Sequence, residues 1–81
     1  MGRRAKTVIA YVEWFDASYQ RGECDASELV PRVNLQSAGL LVREDEESVS
    51  IALDQYSVDG VWRYIEHIPK VNVLKFRKVT I

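Results

Sequence analysis

The sequence predicts a small all-β domain in which five antiparallel strands form one strongly bent barrel. The chain has 81 residues, which fits a single domain spanning residues 1–81, with residues 1–6 as a basic tail. Its composition is 47% hydrophobic and 28% charged, which is typical of a globular chain. Valine is the commonest residue, with 11 copies, and β-branched and aromatic side chains favour a pleated, half-buried surface.

The first strand is predicted over residues 7–15, where apolar side chains occupy both alternating faces. A sheet that rolls into a barrel accounts for this lack of a polar face. A long polar loop follows over residues 16–32. Inside it, Asp25 and Glu28 have the spacing of a capping box, which predicts one helical turn.

The second strand is predicted over residues 33–43, and its apolar side chains change face at Gly39. That change of phase predicts a bulge or bend at the glycine. Four consecutive acidic residues, 44–47, cannot be buried together and mark a hairpin tip. The third strand, residues 48–55, alternates most cleanly between apolar and polar positions.

An Asp59-Gly60 pair predicts a hairpin turn into a fourth strand over residues 61–68. Pro69 lacks a backbone donor, so residues 69–72 are expected to break the sheet before a fifth strand over residues 73–80. A long first connection, two tight hairpins and a one-turn break are the plan of a small SH3-like barrel, in which the first and last strands are neighbours.

Three segments of the second half resemble the paired motifs of Sm-like proteins: residues 39–43, residues 49–54 and residues 68–73. The resemblance covers about half of the chain. It implies a strongly bent five-stranded barrel whose subunits join through their outer strands into rings. It also implies RNA binding at a central pore.

In the Sm-like motifs, an Asn after the second strand and a basic residue before the fifth hold the RNA. The resemblance places Lys70 and Asn72 in the second pore motif. Ser50 stands where the first motif has Asn, and Pro69 stands where the second has Arg.

Two further likenesses concern other parts of the chain. Residues 69–73 are similar to the proline-containing turn of SH3 domains. Residues 12–18, the strand around Gly39 and residues 68–70 together resemble small proteins of unknown function from bacteriophages and prophages. This last resemblance covers most of the chain and implies a phage or mobile-element setting without implying an activity.

The net charge of −1 conceals a strong segregation of charge along the chain. Residues 1–6 carry +3 and residues 70–81 carry +4, whereas residues 7–69 carry −8. Because the first and last strands are expected to be neighbours, the terminal cations would gather into one basic region. Such a region favours binding to the phosphates of RNA or single-stranded DNA.

The candidate nucleic-acid-binding residues are Lys70, Asn72, Lys75 and Arg77. Two alternatives remain open. Lys75 and Arg77 could simply be the solvated face of an edge strand, opposite Leu74 and Phe76. The basic and acidic regions could instead meet between subunits, in a head-to-tail contact.

The sequence indicates no catalytic residue, metal site or cofactor. Glu66 and His67 are adjacent in a strand and point to opposite faces, so they cannot act as a pair. The single cysteine, Cys24, and the single histidine provide no cluster of metal ligands. Trp14 and Trp62 are expected in the core, with base stacking or partner docking as the alternative.

We expect a cytoplasmic protein without a membrane segment. One cysteine cannot form an intrachain disulfide, and the longest uncharged run, residues 33–42, is too short to span a bilayer. The sequence therefore predicts a non-enzymatic, homo-oligomeric small β-barrel that serves as a protein-interaction or assembly module of phage type. The alternative is an Sm-like protein that binds RNA or single-stranded DNA.

Overall fold

The structure is a computed structural model that describes residues 6–17, 22–28 and 32–81. Its strands are β1 (Val8–Ala17), β2 (Arg32–Glu44), β3 (Ser48–Gln55), β4 (Trp62–Pro69) and β5 (Val73–Thr80). Two short 3₁₀ turns, Ala26–Glu28 and Lys70–Asn72, are the only helical segments in the described ranges. The prediction of an all-β domain with five antiparallel strands is confirmed.

The strands form one antiparallel sheet in the order β4-β3-β2-β1-β5. β1 and β5 are neighbours, as the sequence predicted. No backbone ladder joins β4 to β5 within residues 6–17, 22–28 and 32–81, so the sheet is open along these two strands. Closure into a barrel therefore stays a prediction.

The strand limits follow the sequence signals closely in the second half of the chain. β3 and β5 have the predicted limits, and β4 is shifted by one residue. β1 and β2 are longer than predicted, because their ladder continues through the pairs Asp16 with Val33 and Ala17 with Arg32. The connection between β1 and β2 is therefore shorter than the predicted loop over residues 16–32.

The predicted helical turn in this loop is a 3₁₀ turn, Ala26–Glu28, in which the Glu28 amide donates to the Asp25 carbonyl at 2.9 Å. Residues 18–21 and 29–31 of the predicted loop, and residues 1–5 of the predicted basic tail, lie outside the described residues.

The main core cluster lies on one face of the sheet. Alternation along β1 directs Ala10, Val12 and Trp14 to this face, and the Trp14 indole Nε1 donates to Ser37 Oγ at 3.0 Å. The other members of the core cluster come from β3 and β4, and partly buried side chains from β2 and β5 pack against them. These are Val49, Ile51 and Ile68, with Leu41, Val73 and Phe76.

The predicted bulge is not at Gly39. The register between β2 and β3 shifts between Leu41 and Arg43, so that Val42 is the additional residue. Gly39 has a different role, since a Cβ atom built on it would lie 2.7 Å from the Ala52 carbonyl oxygen. The absence of a side chain therefore permits the close approach of β3 to β2 at this position.

We expect Gly39→Ala to lower the free energy of unfolding by about 1–3 kcal/mol, the usual cost of overpacking a tight position. The obstructing atom is backbone and cannot rotate away. Urea unfolding monitored by tryptophan fluorescence gives the difference. Ala38→Ser, which also adds one heavy atom but at an exposed position of β2, is the control. Equal stabilities of the two variants would show that the approach of β3 does not depend on Gly39.

Candidate interaction site at the sheet edges

The sheet ends in two strands of equal length, β4 and β5, with 8 residues each. Each is paired on one side only, to β3 and β1 respectively. On the other side, the backbone donors and acceptors have no strand partner in the described part of the chain. Such edges are templates for pairing with another strand unless charge, proline or a kink prevents it.

β4 presents apolar side chains beside its free edge, since Tyr64 is 68% exposed and Ile65 41% exposed. Tyr64 has a φ of 55°, a left-handed conformation that costs a tyrosine about 1–3 kcal/mol. The Arg63 guanidinium lies over the Tyr64 ring, 4.9 Å from its centroid, and donates to the Tyr64 hydroxyl at 3.2 Å. The distortion is local, because the ladder with β3 resumes at Ile65.

His67 lies on β4 opposite the buried Ser50 of β3. Its Nδ1 atom is 2.6 Å from Ser50 Oγ, so the hydroxyl and the ring share one hydrogen bond. This bond satisfies the polar atom of Ser50, which would otherwise be buried without a partner.

β5 divides its cations between two faces. Lys75 and Arg77 lie opposite Glu13 and Tyr11 of β1, and both are exposed. The Tyr11 hydroxyl donates to Glu13 Oε2 at 2.6 Å, and this hydrogen bond raises the pKa of Tyr11 above its ordinary value. Lys78 alternates to the other face of β5 and lies opposite Ala10.

Lys70 and Lys78 converge on one carboxylate. Lys70 Nζ is 3.1 Å from Glu44 Oε2, and Lys78 Nζ is 3.0 Å from Glu44 Oε1. Both ammonium groups also lie over the Phe76 ring, at 5.9 and 5.7 Å from its centroid. The cluster thus links the end of β2 to the 3₁₀ turn and to β5, where no backbone ladder joins them.

The charges of this cluster do not cancel, because two lysines share one glutamate. The hydrogen bonds from Lys78 and then from Lys70 hold the pKa of Glu44 below its ordinary value of 4.5. This role could not be predicted for Glu44, which is the first of four consecutive acidic residues.

The four residues predicted to bind nucleic acid lie in two groups. Lys70 and Asn72 are in the 3₁₀ turn, where the Asn72 side-chain amide donates to the Phe15 carbonyl at 2.9 Å. Lys75 and Arg77 share the face of β5 that is opposite to Phe76, whereas Lys70 lies over Phe76. The structure therefore does not bring the four side chains onto one face.

A groove of about 700 Å³ lies between the start of β1, the middle of β2 and the β3–β4 turn. Val8, Leu41 and Tyr56 contribute to its wall. Trp62, expected in the core, is only half-buried and also lines this groove, whereas Trp14 is in the core as predicted.

No group of three or more His, Cys, Asp or Glu side chains that could hold a metal ion occurs within the described ranges. Among the same residues, no helix has the length and apolar character needed to cross a membrane. No protein-family model matches the chain, and neither a curated protein nor a solved structure matches it.

We expect Glu44→Gln to destabilise the fold by about 0.2–1 kcal/mol at neutral pH, the range for solvent-accessible ion pairs. Because the pKa of Glu44 is lowered in the folded state, the unfolded chain binds its proton more readily. The stabilisation is therefore present above the ordinary pKa and is lost as the pH falls through the folded-state pKa.

Urea unfolding at a series of pH values between about 6 and about 3 measures this loss. The wild-type protein should lose more stability across the range than Glu44→Gln, while Glu46→Gln, in the same acidic run, should behave like wild type. Parallel curves for wild type and Glu44→Gln would contradict the assignment.

Proposed function

We propose that this protein is a non-enzymatic, self-associating assembly module that joins copies of itself through β4 and β5. The observation that carries the proposal is that one sheet ends in two free edges of equal length. A β4 edge that receives the β5 edge of the next copy would extend the antiparallel sheet from subunit to subunit. This is the head-to-tail arrangement that generates rings or filaments.

One antiparallel register matches both faces of the two strands. It places Glu66 opposite Lys78 of the neighbouring copy. On the same face it places Ile68 opposite Phe76, and on the other face it places the exposed Ile65 opposite the exposed Val79. The opposite-charge pair and the exposed apolar pair favour this alignment, whereas Ile68 is already fully buried in its own subunit.

The charge cluster at Glu44 supports the same register. Lys70 and Lys78 carry one more positive charge than Glu44 neutralises. A Glu66 carboxylate from the next copy would supply the missing negative charge beside Lys78. The contact therefore improves electrostatic complementarity without adding a charge that lacks a partner.

The finer parts of the proposal are a small SH3-like, Sm-like barrel, a cytoplasmic location and a phage or mobile-element setting. The adjacent β1 and β5 and the close approach of β3 at Gly39 support the barrel. The exposed free thiol of Cys24 is typical of a reducing compartment. The setting is supported only by the resemblance of the sequence to phage proteins.

Cysteine cross-linking tests the register, in a Cys24→Ser background. Residues that are directly opposite each other have Cβ atoms about 4.5–5.5 Å apart, close enough for a disulfide after a small adjustment. We expect Ile65→Cys mixed with Val79→Cys to give a mixed disulfide dimer under mild oxidation, and the double variant to give a ladder of larger species on a denaturing gel.

The control is Val58→Cys mixed with Val79→Cys, because Val58 is 99% exposed but lies in the β3–β4 turn and not on the edge. Light scattering of the wild-type chain over a range of concentrations provides the mass. A constant monomer mass, together with cross-linking no faster than in the control, would rule out self-assembly through these edges.

A second candidate function, binding of RNA or single-stranded DNA, is favoured by Lys75 and Arg77. Their side chains share one face of β5 and are exposed. Neither forms an ion pair with another described residue. Two cations on one face, without a carboxylate partner among the described residues, can contact successive phosphates, whereas Lys70 is already paired with Glu44.

If this second function is correct, a labelled single-stranded oligonucleotide will bind at about 50 mM salt and dissociate as salt is added. Lys75→Glu should weaken binding at least about tenfold, because it replaces a phosphate contact by repulsion. Arg43→Glu makes the same change of charge next to Asp45 and should have a smaller effect. Absence of binding in fluorescence anisotropy at low salt would exclude the function.

A further inference from the structure

A third free edge lies in the first half of β2. Residues 32–39 pair with β1, whereas β3 begins to pair with β2 only at Leu40. Beside residues 32–39 the sheet therefore consists of β5, β1 and β2, and β2 is its edge strand. From Leu40 onward, β2 lies between β1 and β3. No residue in the described ranges pairs with its outer side.

The β2 edge differs from the other two edges in its lack of charge. β4 carries Arg63, Glu66 and a terminal Pro69, and β5 carries three cations, so these two edges favour a partner strand of complementary charge. Residues 33–42 contain no charged residue and no proline, which is the longest uncharged run in the chain. Natural edge strands usually carry charge, proline or a bulge to prevent pairing. Residues 33–39, the part of this run that lies on the free edge, are thus suited to receiving a strand.

We propose that residues 32–38 pair with the same residues of a second copy, antiparallel and about a two-fold axis at Leu35. The interface does not use β4 or β5 and does not depend on the function proposed above. It would join the two three-stranded portions into one continuous six-stranded sheet.

The sequence of this edge is self-complementary in that register. Leu35 lies opposite Leu35 of the second copy, Val33 lies opposite Ser37, and Asn34 lies opposite Gln36. Arg32, the only charged residue in the segment, lies opposite Ala38, so no like charges face each other. A second copy therefore satisfies the edge without any repulsive pair, which is the reason for choosing it as the occupant.

Burial also favours the pairing. Val33 is 39% exposed and Leu35 is 36% exposed, although Leu35 lies on the core face opposite Trp14. A neighbouring strand would cover both side chains and satisfy the outward backbone groups.

Single-cysteine variants test the two-fold axis, again with Cys24→Ser. Leu35→Cys should form a disulfide dimer by itself, because the two copies of this residue are directly opposite. Gln36→Cys alone should not, because its two copies are offset by two residues, about 7–8 Å apart. Gln36→Cys mixed with Asn34→Cys should cross-link, since these positions are opposite.

A charge-exchange experiment gives an independent readout. Leu35→Lys and Leu35→Glu each place like charges opposite each other, and each should weaken the dimer about tenfold, while an equal mixture should restore it as a heterodimer. Circular dichroism and thermal melting check that both variants fold, and native mass spectrometry measures the dimers.

All measurements are made in the wild-type protein and in an Ile65→Lys, Val79→Lys background that places like charges across the β4–β5 contact. Leu35→Cys dimers in both backgrounds support the two-fold interface. If Leu35→Cys cross-links no faster than Gln36→Cys, or if the charge mixture gives no heterodimer, the interface is overturned, and the β4–β5 proposal is unaffected. Dimers lost only in the lysine background would also overturn it, because the contact would then depend on β4 and β5.

Discussion

The fold depends on β1 being paired on both sides. β2 pairs with one side of it and β5 with the other, and β5 has no other strand partner in the described part of the chain. The same strand supplies Ala10, Val12 and Trp14 to the core. In so small a domain, burial leaves a narrow margin of stability, so a strand that contributes both ladders and core side chains controls the whole sheet. The ion cluster at Glu44 and the hydrogen bond of Asn72 then hold the 3₁₀ turn and β5 in place.

Much of this fold can be predicted from the sequence, because its signals are local. The alternation in β3, the acidic run before it and Pro69 before the last turn each determine an element within a few residues. The sequence does not indicate where a ladder continues. β1 and β2 extend to Ala17 and Arg32 because each strand supports the other, which neither segment shows alone.

The role of Gly39 illustrates the same limit. A glycine in a strand can indicate a bulge or a close approach, and only the neighbouring strand decides which. Here the Ala52 carbonyl lies against Gly39, while the bulge is at Val42.

The candidate sites were predictable only in part. The motif resemblance singled out Lys70 and Asn72, and both make contacts that link elements. Their partners, Glu44 and the Phe15 carbonyl, are separated from them by 26 and 57 positions, so sequence spacing could not reveal them. Alternation predicted that Lys75 and Arg77 share a face, which the structure shows. The free edge of β2 could not be inferred, because it depends on where β3 leaves the sheet.

The pairing of β1 with β5 also has a consequence for how the chain folds. Val8 pairs with Thr80, so the ladder joins nearly the first and last described residues. Contacts between residues so distant in sequence require a costly loop closure, and domains dominated by such contacts fold in about milliseconds to seconds. During synthesis β1 emerges first and must wait for β5. In that interval one side of β1 is an open strand edge, so slow docking of β5 prolongs the time in which β1 can pair with other chains.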